Sequence, residues 1–202
     1  MNNYVIYGAG GHAKVVGDAL LSDGNKIYTF IDNNKTGDYL SIQLNKNLSN
    51  LDFQYKSIIA IGDNAVRKKL SLSLQTRFGT VKHSSALVSD SVLVGEGSMV
   101  LHQSVVQIGS SVGKHVIINT KASIDHDCFI DNFVHIAPGS VLCGNVKVGE
   151  GTLIGAGSTI IPNIKIGKWC TIGAGSVIIK DIPDYAVVVG NPGRIIKYNQ
   201  HG

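Results

Sequence analysis

The chain has 202 residues, 44% of them hydrophobic and 16% charged, with a formal net charge of +4 and a pI near 8.9. That composition suits a globular protein of one large or two small domains and excludes a disordered chain. The basic residues are scattered except near the C-terminus, which argues against nucleic acid and favours a phosphorylated small molecule. No apolar run approaches the roughly 20 residues of a membrane-spanning helix, and three cysteines without a spacing motif point to a reducing compartment, so a cytoplasmic protein is expected.

In chain order, Tyr4–Tyr7 reads as a buried strand, followed by the turn Gly8-Ala9-Gly10-Gly11-His12-Ala13 and a helical pattern from Lys14 to Leu21. A second strand, Ile27–Ile31, ends at Asp32, about 20 residues after the glycines. Strand, glycine turn, helix, strand and acid in that order form a dinucleotide-type fingerprint, in which small residues let backbone approach a pyrophosphate at a helix N-terminus. A third strand, Ser57–Ile61, runs into Gly62-Asp63-Asn64, and a helix is expected from about Ala65 to Phe78, with Arg67, Lys68 and Lys69 on its first turns. The segment is too short for both halves of a dinucleotide fold, so a half-Rossmann-like unit over 1–80 suits a single nucleotide. Thr80–Leu87 reads as the connector.

From Val88 the pattern changes. Every sixth residue through Ile178 is aliphatic, sixteen positions in one phase, all but Leu142 β-branched. Two residues earlier in each hexad the side chain is small or aliphatic, as at Ala86, Ser98, Ala122, Cys128 and Ser176. An unbroken six-residue period excludes a helix at 3.6 and marks a β-helix solenoid over 81–182. With the aliphatic residue as offset zero, offsets zero and four face inward, one and five outward, and two and three turn the corners, where glycine clusters. Cys128 and Cys170 then point inward and cannot serve as nucleophiles, and Cys143 has no base beside it. His126 falls on a corner between Asp125 and Asp127, His135 points out from a face, and Gly144, 18 residues on, stacks above His126. The two histidines are not expected to meet within one chain. His102 and His115 stand on other corners, so no convergent metal site is expected. After Pro183 the period breaks, and the strand Val187–Val189 and the tail over 183–202 are expected to close the end of the solenoid, with Arg194 and Lys197 beside Lys165, Lys168 and Lys180 forming a basic end.

Gly8–Val16, Ile61–Asn64, Ile118–Thr120, Ile124–Cys128, His135–Gly139 and Val189–Arg194 together resemble one family, the bacterial hexapeptide-repeat sugar acyltransferases. These include nucleotide-aminosugar N-acetyltransferases of the bacillosamine and perosamine type and sialic acid O-acetyltransferases. The resemblance implies a left-handed parallel β-helix behind a small α/β domain, a homotrimer with sites between chains, and acetyl-CoA as donor without a metal. It implies an acceptor that is a UDP-, GDP- or dTDP-linked 4-aminosugar. By position it implies His126 as general base with Asp127 beside it, and Gly10, Gly11, His12, Asp32, Asp63, Asn64 and Asn119 as substrate-binding residues. For acetyl-CoA it implies His135 from the neighbouring chain, Gly144, Ala156, Ala174 and Arg194. The base role suits imidazole, whose pKa near 6.5 lets it take a proton from an attacking amine at neutral pH. O-acetylation of sialic acid or another sugar, and a non-catalytic binding solenoid, stay open as alternatives.

Overall fold

The computed structural model describes residues 2–46 and 55–199. The N-terminal part is a six-stranded sheet in the order β3-β4-β2-β1-β5-β6, built from β1 (Asn3–Tyr7), β2 (Lys26–Ile31), β3 (Asp38–Tyr39), β4 (Ile42–Asn45), β5 (Lys56–Ile59) and β6 (Arg77–Phe78). All its pairings are parallel except the short β3–β4 hairpin. The apolar runs of β1 and β5 are buried along Val5–Ile6 and Ile58–Ile59, as expected for parallel strands covered on both faces. Helix α1 (Gly11–Ser22) buries Ala13, Val16, Ala19 and Leu20 at helical spacing. The helix therefore starts inside the glycine stretch, three residues before the expected start at Lys14.

Helix α2 (Asn64–Ser73) is shorter than the sequence suggested. Its chain end, Arg77–Phe78, pairs with β5 instead, because Lys56↔Arg77 and Ser57↔Phe78 complete the sheet edge. The β3–β4 hairpin had no counterpart in the sequence reading.

The remainder is a solenoid of two-residue strands on three flat faces, and the fold is a left-handed parallel β-helix. Each rung pairs with the one 18 residues on: Ile118↔Ile136, Ile124↔Leu142 and Ile130↔Val148 are neighbouring rungs on the first, second and third faces. The first face already starts at Val81–Lys82, which pairs with Met99–Val100, so the stretch taken for a connector is the first rung. The aliphatic column forms one core from Val100 to Ile178 with Cys128 and Cys170 inside it. Burying an aliphatic side chain contributes about 1.5–3 kcal/mol. Ile154→Ala, at a fully buried position, is expected to cost about 2–5 kcal/mol in chemical denaturation.

Corners use left-handed backbone at one residue each, and several are not glycine: Lys121, Asp127, Asn145 and Asn163 have φ of 58–66°. Asp and Asn adopt that region at modest cost because their short side chains bond locally. At the top, Ala186–Val189 joins the first face and pairs antiparallel with Arg194–Tyr198.

The N-terminal sheet packs on the first face. Its core takes in Val81, Met99, Leu101 and Ile117 beside Tyr4, Ile6 and Val16. The Tyr4 hydroxyl donates to Thr80 O at 2.9 Å, and Asn64 Nδ2 donates to Gly151 O at 2.9 Å. These contacts set the nucleotide-type turn and the β-helix at fixed positions.

Candidate active site

His126 and Asp127 share a corner between the second and third faces. His126 Nδ1 lies 2.8 Å from Asp127 Oδ2, while Asp125 Oδ1 accepts from the His126 backbone N–H at 2.8 Å. Asp127, not Asp125, therefore touches the ring, and its left-handed backbone turns the carboxylate back along the corner. Hydrogen bonding to Asp127, reinforced by Asp125, raises the imidazole pKa above its ordinary 6.5. The ring is exposed, with Nε2 free to face a partner. Gly144 sits on the next coil so close that a Cβ there would lie 2.6 Å from both Cε1 and Nε2 of His126. Only glycine leaves the imidazole its place. A base beside a carboxylate, with backbone of the next coil close to the ring, suits proton removal from an attacking amine.

Of the residues expected to bind substrate, Asp32 lines one groove and Asp63 and Asn64 another, while Gly10, Gly11, His12 and Asn119 line neither. The first, about 630 Å³, lies beyond the C-terminal ends of β1 and β2 against α2 and is lined by Tyr7, Gly8, Asp32, Asn34, Lys46 and Lys69. Gly8 is the glycine in its wall. With φ of +106° and Ala60 O only 3.1 Å from where a Cβ would stand, no other residue fits there. Asp32 is doubly bound, accepting from Ala9 N and from Asn34 N at 2.9 Å each. Gly10 caps α1 through backbone alone and Gly11 is exposed beside it.

The second groove, about 430 Å³, opens on the first face between the 62–65 loop and the upper coils, lined by Gly62, Asp63, Asn64, His135, Leu153 and Thr171. Asp63 also caps α2, accepting from Val66 N at 2.8 Å. His135 donates from Nδ1 toward Gly62 O at 3.3 Å, and its Nε2 lies 3.1 Å from Asn119 Nδ2. His12 is 6.4 Å from it, ring to ring. Burial, with the Arg67 cation close by, pulls both histidines down to about 4, so both are neutral at pH 7.

His126 and His135 make no contact with each other among the described residues, in line with their places on a corner and on the first face. Ala156 and Ala174 stack, both exposed, on yet another corner, and Arg194 is exposed beside the last rung. Asp18, His83 and His102 bring one metal-ligand atom each within 4.8 Å of one another. The two imidazoles stack at 3.7 Å with planes 27° apart, and both present Nε2 to Asp18 Oδ2, His102 at 2.7 Å and His83 at 4.0 Å, a convergence the sequence reading did not expect. His83 Nδ1 accepts from Ser85 N at 3.0 Å and lies 2.7 Å from Ser85 Oγ.

Arg67 was not recognisable as a site element from sequence. It is fully buried, and every guanidinium N–H is used: Nε to His115 O, Nη1 to Ile61 O and Gly62 O, Nη2 to Asn64 Oδ1 and Phe133 O, at 2.7–3.2 Å. Its place in an Arg-Lys-Lys run resembles a solvated helix face, and nothing in the spacing sets it apart.

Residues 3–74 match the PglD N-terminal domain and residues 145–180 match the bacterial transferase hexapeptide (six repeats). The acetyltransferase domain of PglB from Neisseria gonorrhoeae is 36% identical, with a TM-score of 0.92 over 97% of this chain and 100% of that one. PerB from Caulobacter crescentus, solved with CoA and GDP-perosamine, is 33% identical with a TM-score of 0.89 over 98% of each chain. Among curated proteins, UDP-N-acetylbacillosamine N-acetyltransferase of Bacillus subtilis is 37% identical over 116 residues, and GDP-perosamine N-acetyltransferase of Escherichia coli O157:H7 is 26% identical over 101. The matched regions span about half the length of these two curated relatives, 52% and 46%. Fold and site define a hexapeptide-repeat acyltransferase. Within that class, the chain belongs to the family of sugar acyltransferases with a PglD-type N-terminal domain, which holds nucleotide-aminosugar N-acetyltransferases.

Proposed function

We propose that this protein transfers an acetyl group from acetyl-CoA to the amine of a nucleotide-linked 4-aminosugar, with His126 as general base. The observation that carries this reading is the His126–Asp127 pair held directly beneath Gly144. In this scheme the amine nitrogen attacks the thioester carbonyl carbon as His126 Nε2 takes an amine proton. The Gly144 N–H donates to the developing oxyanion, and the C–S bond then breaks, the sulfur receiving the proton from the imidazolium. Asp127 holds the Nδ1–H and favours the imidazolium as it forms. No acyl-enzyme is needed, and both inward cysteines are buried.

The first groove, with Gly8, Asp32, Lys46 and Lys69, suits the nucleotide and its diphosphate, and the second, with Asn64 and His135 and with Asn119 bonded to His135 behind it, suits the sugar. His126, the Ala156–Ala174 corner and the His135 face lie on different sides of one chain. A complete site then needs neighbouring chains, and a homotrimer supplies them; Arg194 would stand near the coenzyme's phosphates. Among the described residues no helix is long and apolar enough to cross a membrane. The need for acetyl-CoA as donor supports a cytoplasmic reaction. Relatives solved with acetyl coenzyme A and with CoA plus GDP-perosamine support the substrate classes.

The test is thiol release from acetyl-CoA with a panel of UDP-, GDP- and dTDP-4-aminosugars. Turnover with at least one is expected; turnover only with free sialic acid would replace this reading by O-acetylation. The pH profile gives a second check. His126 must be neutral to act, and its pKa is raised, so activity should fall as pH drops through a value above 6.5. Asp127→Asn removes the main cause of the rise, and the acid limb of kcat/KM should move to lower pH. An unmoved limb would remove Asp127 from the mechanism.

A further inference from the structure

Arg67 is a charged side chain that forms no ion pair among the described residues, though Asp63 is near enough to favour its charge, and it is buried at the seam between α2 and the first face. Burial draws its pKa down to about 10, so it stays a cation at neutral pH. Burying a cation is costly unless its donors are all satisfied, and here five oxygens satisfy them. Two belong to the solenoid, His115 O and Phe133 O, and three to the Ile61–Asn64 loop. The guanidinium thus locks that loop to the β-helix.

One of those oxygens, Gly62 O, is shared: it also accepts from His135 Nδ1. A carbonyl cannot donate, so His135 carries its proton on Nδ1 and its Nε2 is a bare acceptor. The other side of the ring agrees independently. Asn119 Oδ1 accepts from Thr120 N at 2.9 Å, which turns the amide so that Nδ2 faces His135 Nε2 at 3.1 Å as a donor. Asn119 Nδ2 makes no other hydrogen bond among the described residues, so its second N–H remains for a ligand.

We infer that Arg67 and His135 are positioning residues that act through Asn119: Arg67 fixes Gly62 O, Gly62 O fixes the Nδ1–H tautomer of His135, and His135 aims the free Asn119 N–H at a hydroxyl oxygen of the acceptor sugar. On this inference His135 does not touch the acetyl thioester, the role the family resemblance suggested for it. The sugar as ligand rests on the proposed function; the tautomer does not.

The test uses the full chain, ¹⁵N-labelled at histidine, without substrate. Wild type should show the Nδ1–H form of His135, and Arg67→Lys, which keeps a cation but loses the fork, should mix the tautomers. An Nε2–H form in wild type, or an unchanged ring in Arg67→Lys, would overturn the inference. Should Arg67→Lys not fold, Asn119→Ala and His135→Ala decide the second half. Each should raise KM for the nucleotide sugar about tenfold, with KM for acetyl-CoA little changed, and the double variant should be no worse than either. Additive losses, or a rise in KM for acetyl-CoA in His135→Ala, would contradict it. If no aminosugar is turned over while the tautomer is as stated, the function assignment fails and the Arg67–His135 coupling stands.

Discussion

Replacing His126 with alanine should lower kcat by about 10²–10⁴-fold, the usual contribution of a positioned general base. The ring stands on a corner of the solenoid with no part in the core, so the variant should fold as wild type does. In the proposed mechanism it meets only the reacting amine, so KM for the nucleotide sugar and for acetyl-CoA should change far less than kcat. Solved structures of a Caulobacter crescentus relative include two variants of a single histidine, both holding CoA and GDP-perosamine. Near wild-type turnover of His126→Ala would remove it from the mechanism.

Gly144→Ala is the second large effect. The new methyl carbon would lie 2.6 Å from His126 Cε1 and Nε2, well inside contact distance. Backbone around Gly144 is fixed by solenoid pairing, with Asn163 N donating to Gly144 O at 3.0 Å, so the exposed imidazole must yield. Yielding breaks its 2.8 Å hydrogen bond to Asp127 and moves Nε2 away from the reacting amine. A displacement of that size costs on the order of 10²-fold in rate. Thermal stability should hold, because the methyl group points into the site and not into the core. An active Gly144→Ala enzyme with an unshifted pH profile would show that the glycine and the histidine do not share a site.

How much of this was legible in sequence depends on how each feature is encoded. The aliphatic column from Val88 to Ile178 is strictly periodic because each coil repeats the same geometry, and it gives inward and outward directions residue by residue. From it follow the burial of Cys128 and Cys170, the stacking of Gly144 on His126, and the separation of His126 from His135. The first rung at Val81–Lys82 was misread because only one of its residues, Val81, is apolar and its partner Met99 packs outward on the N-terminal domain. Arg77–Phe78 was read as helix because a two-residue strand has no period of its own; pairing with β5 decides it. Arg67 was invisible for a related reason. Its burial comes from carbonyls at Ile61, His115 and Phe133, which no side-chain pattern reports. The histidine tautomer at position 135 is likewise set by a backbone oxygen and an amide orientation. Residues named as nucleotide ligands proved to divide their duties, Asp32 holding the glycine turn and Asp63 capping α2 while each lines a groove.

The most direct test of the account is the identity of the bond made. Incubation with [¹³C-acetyl]-CoA and the best nucleotide-linked aminosugar of the panel, followed by NMR of the product, should show an acetamide on the sugar amine of an intact nucleotide sugar. That signal should be absent with His126→Ala. An acetyl ester on a hydroxyl, or an acetyl-enzyme that persists when the acceptor is withheld, would contradict direct amine transfer by His126.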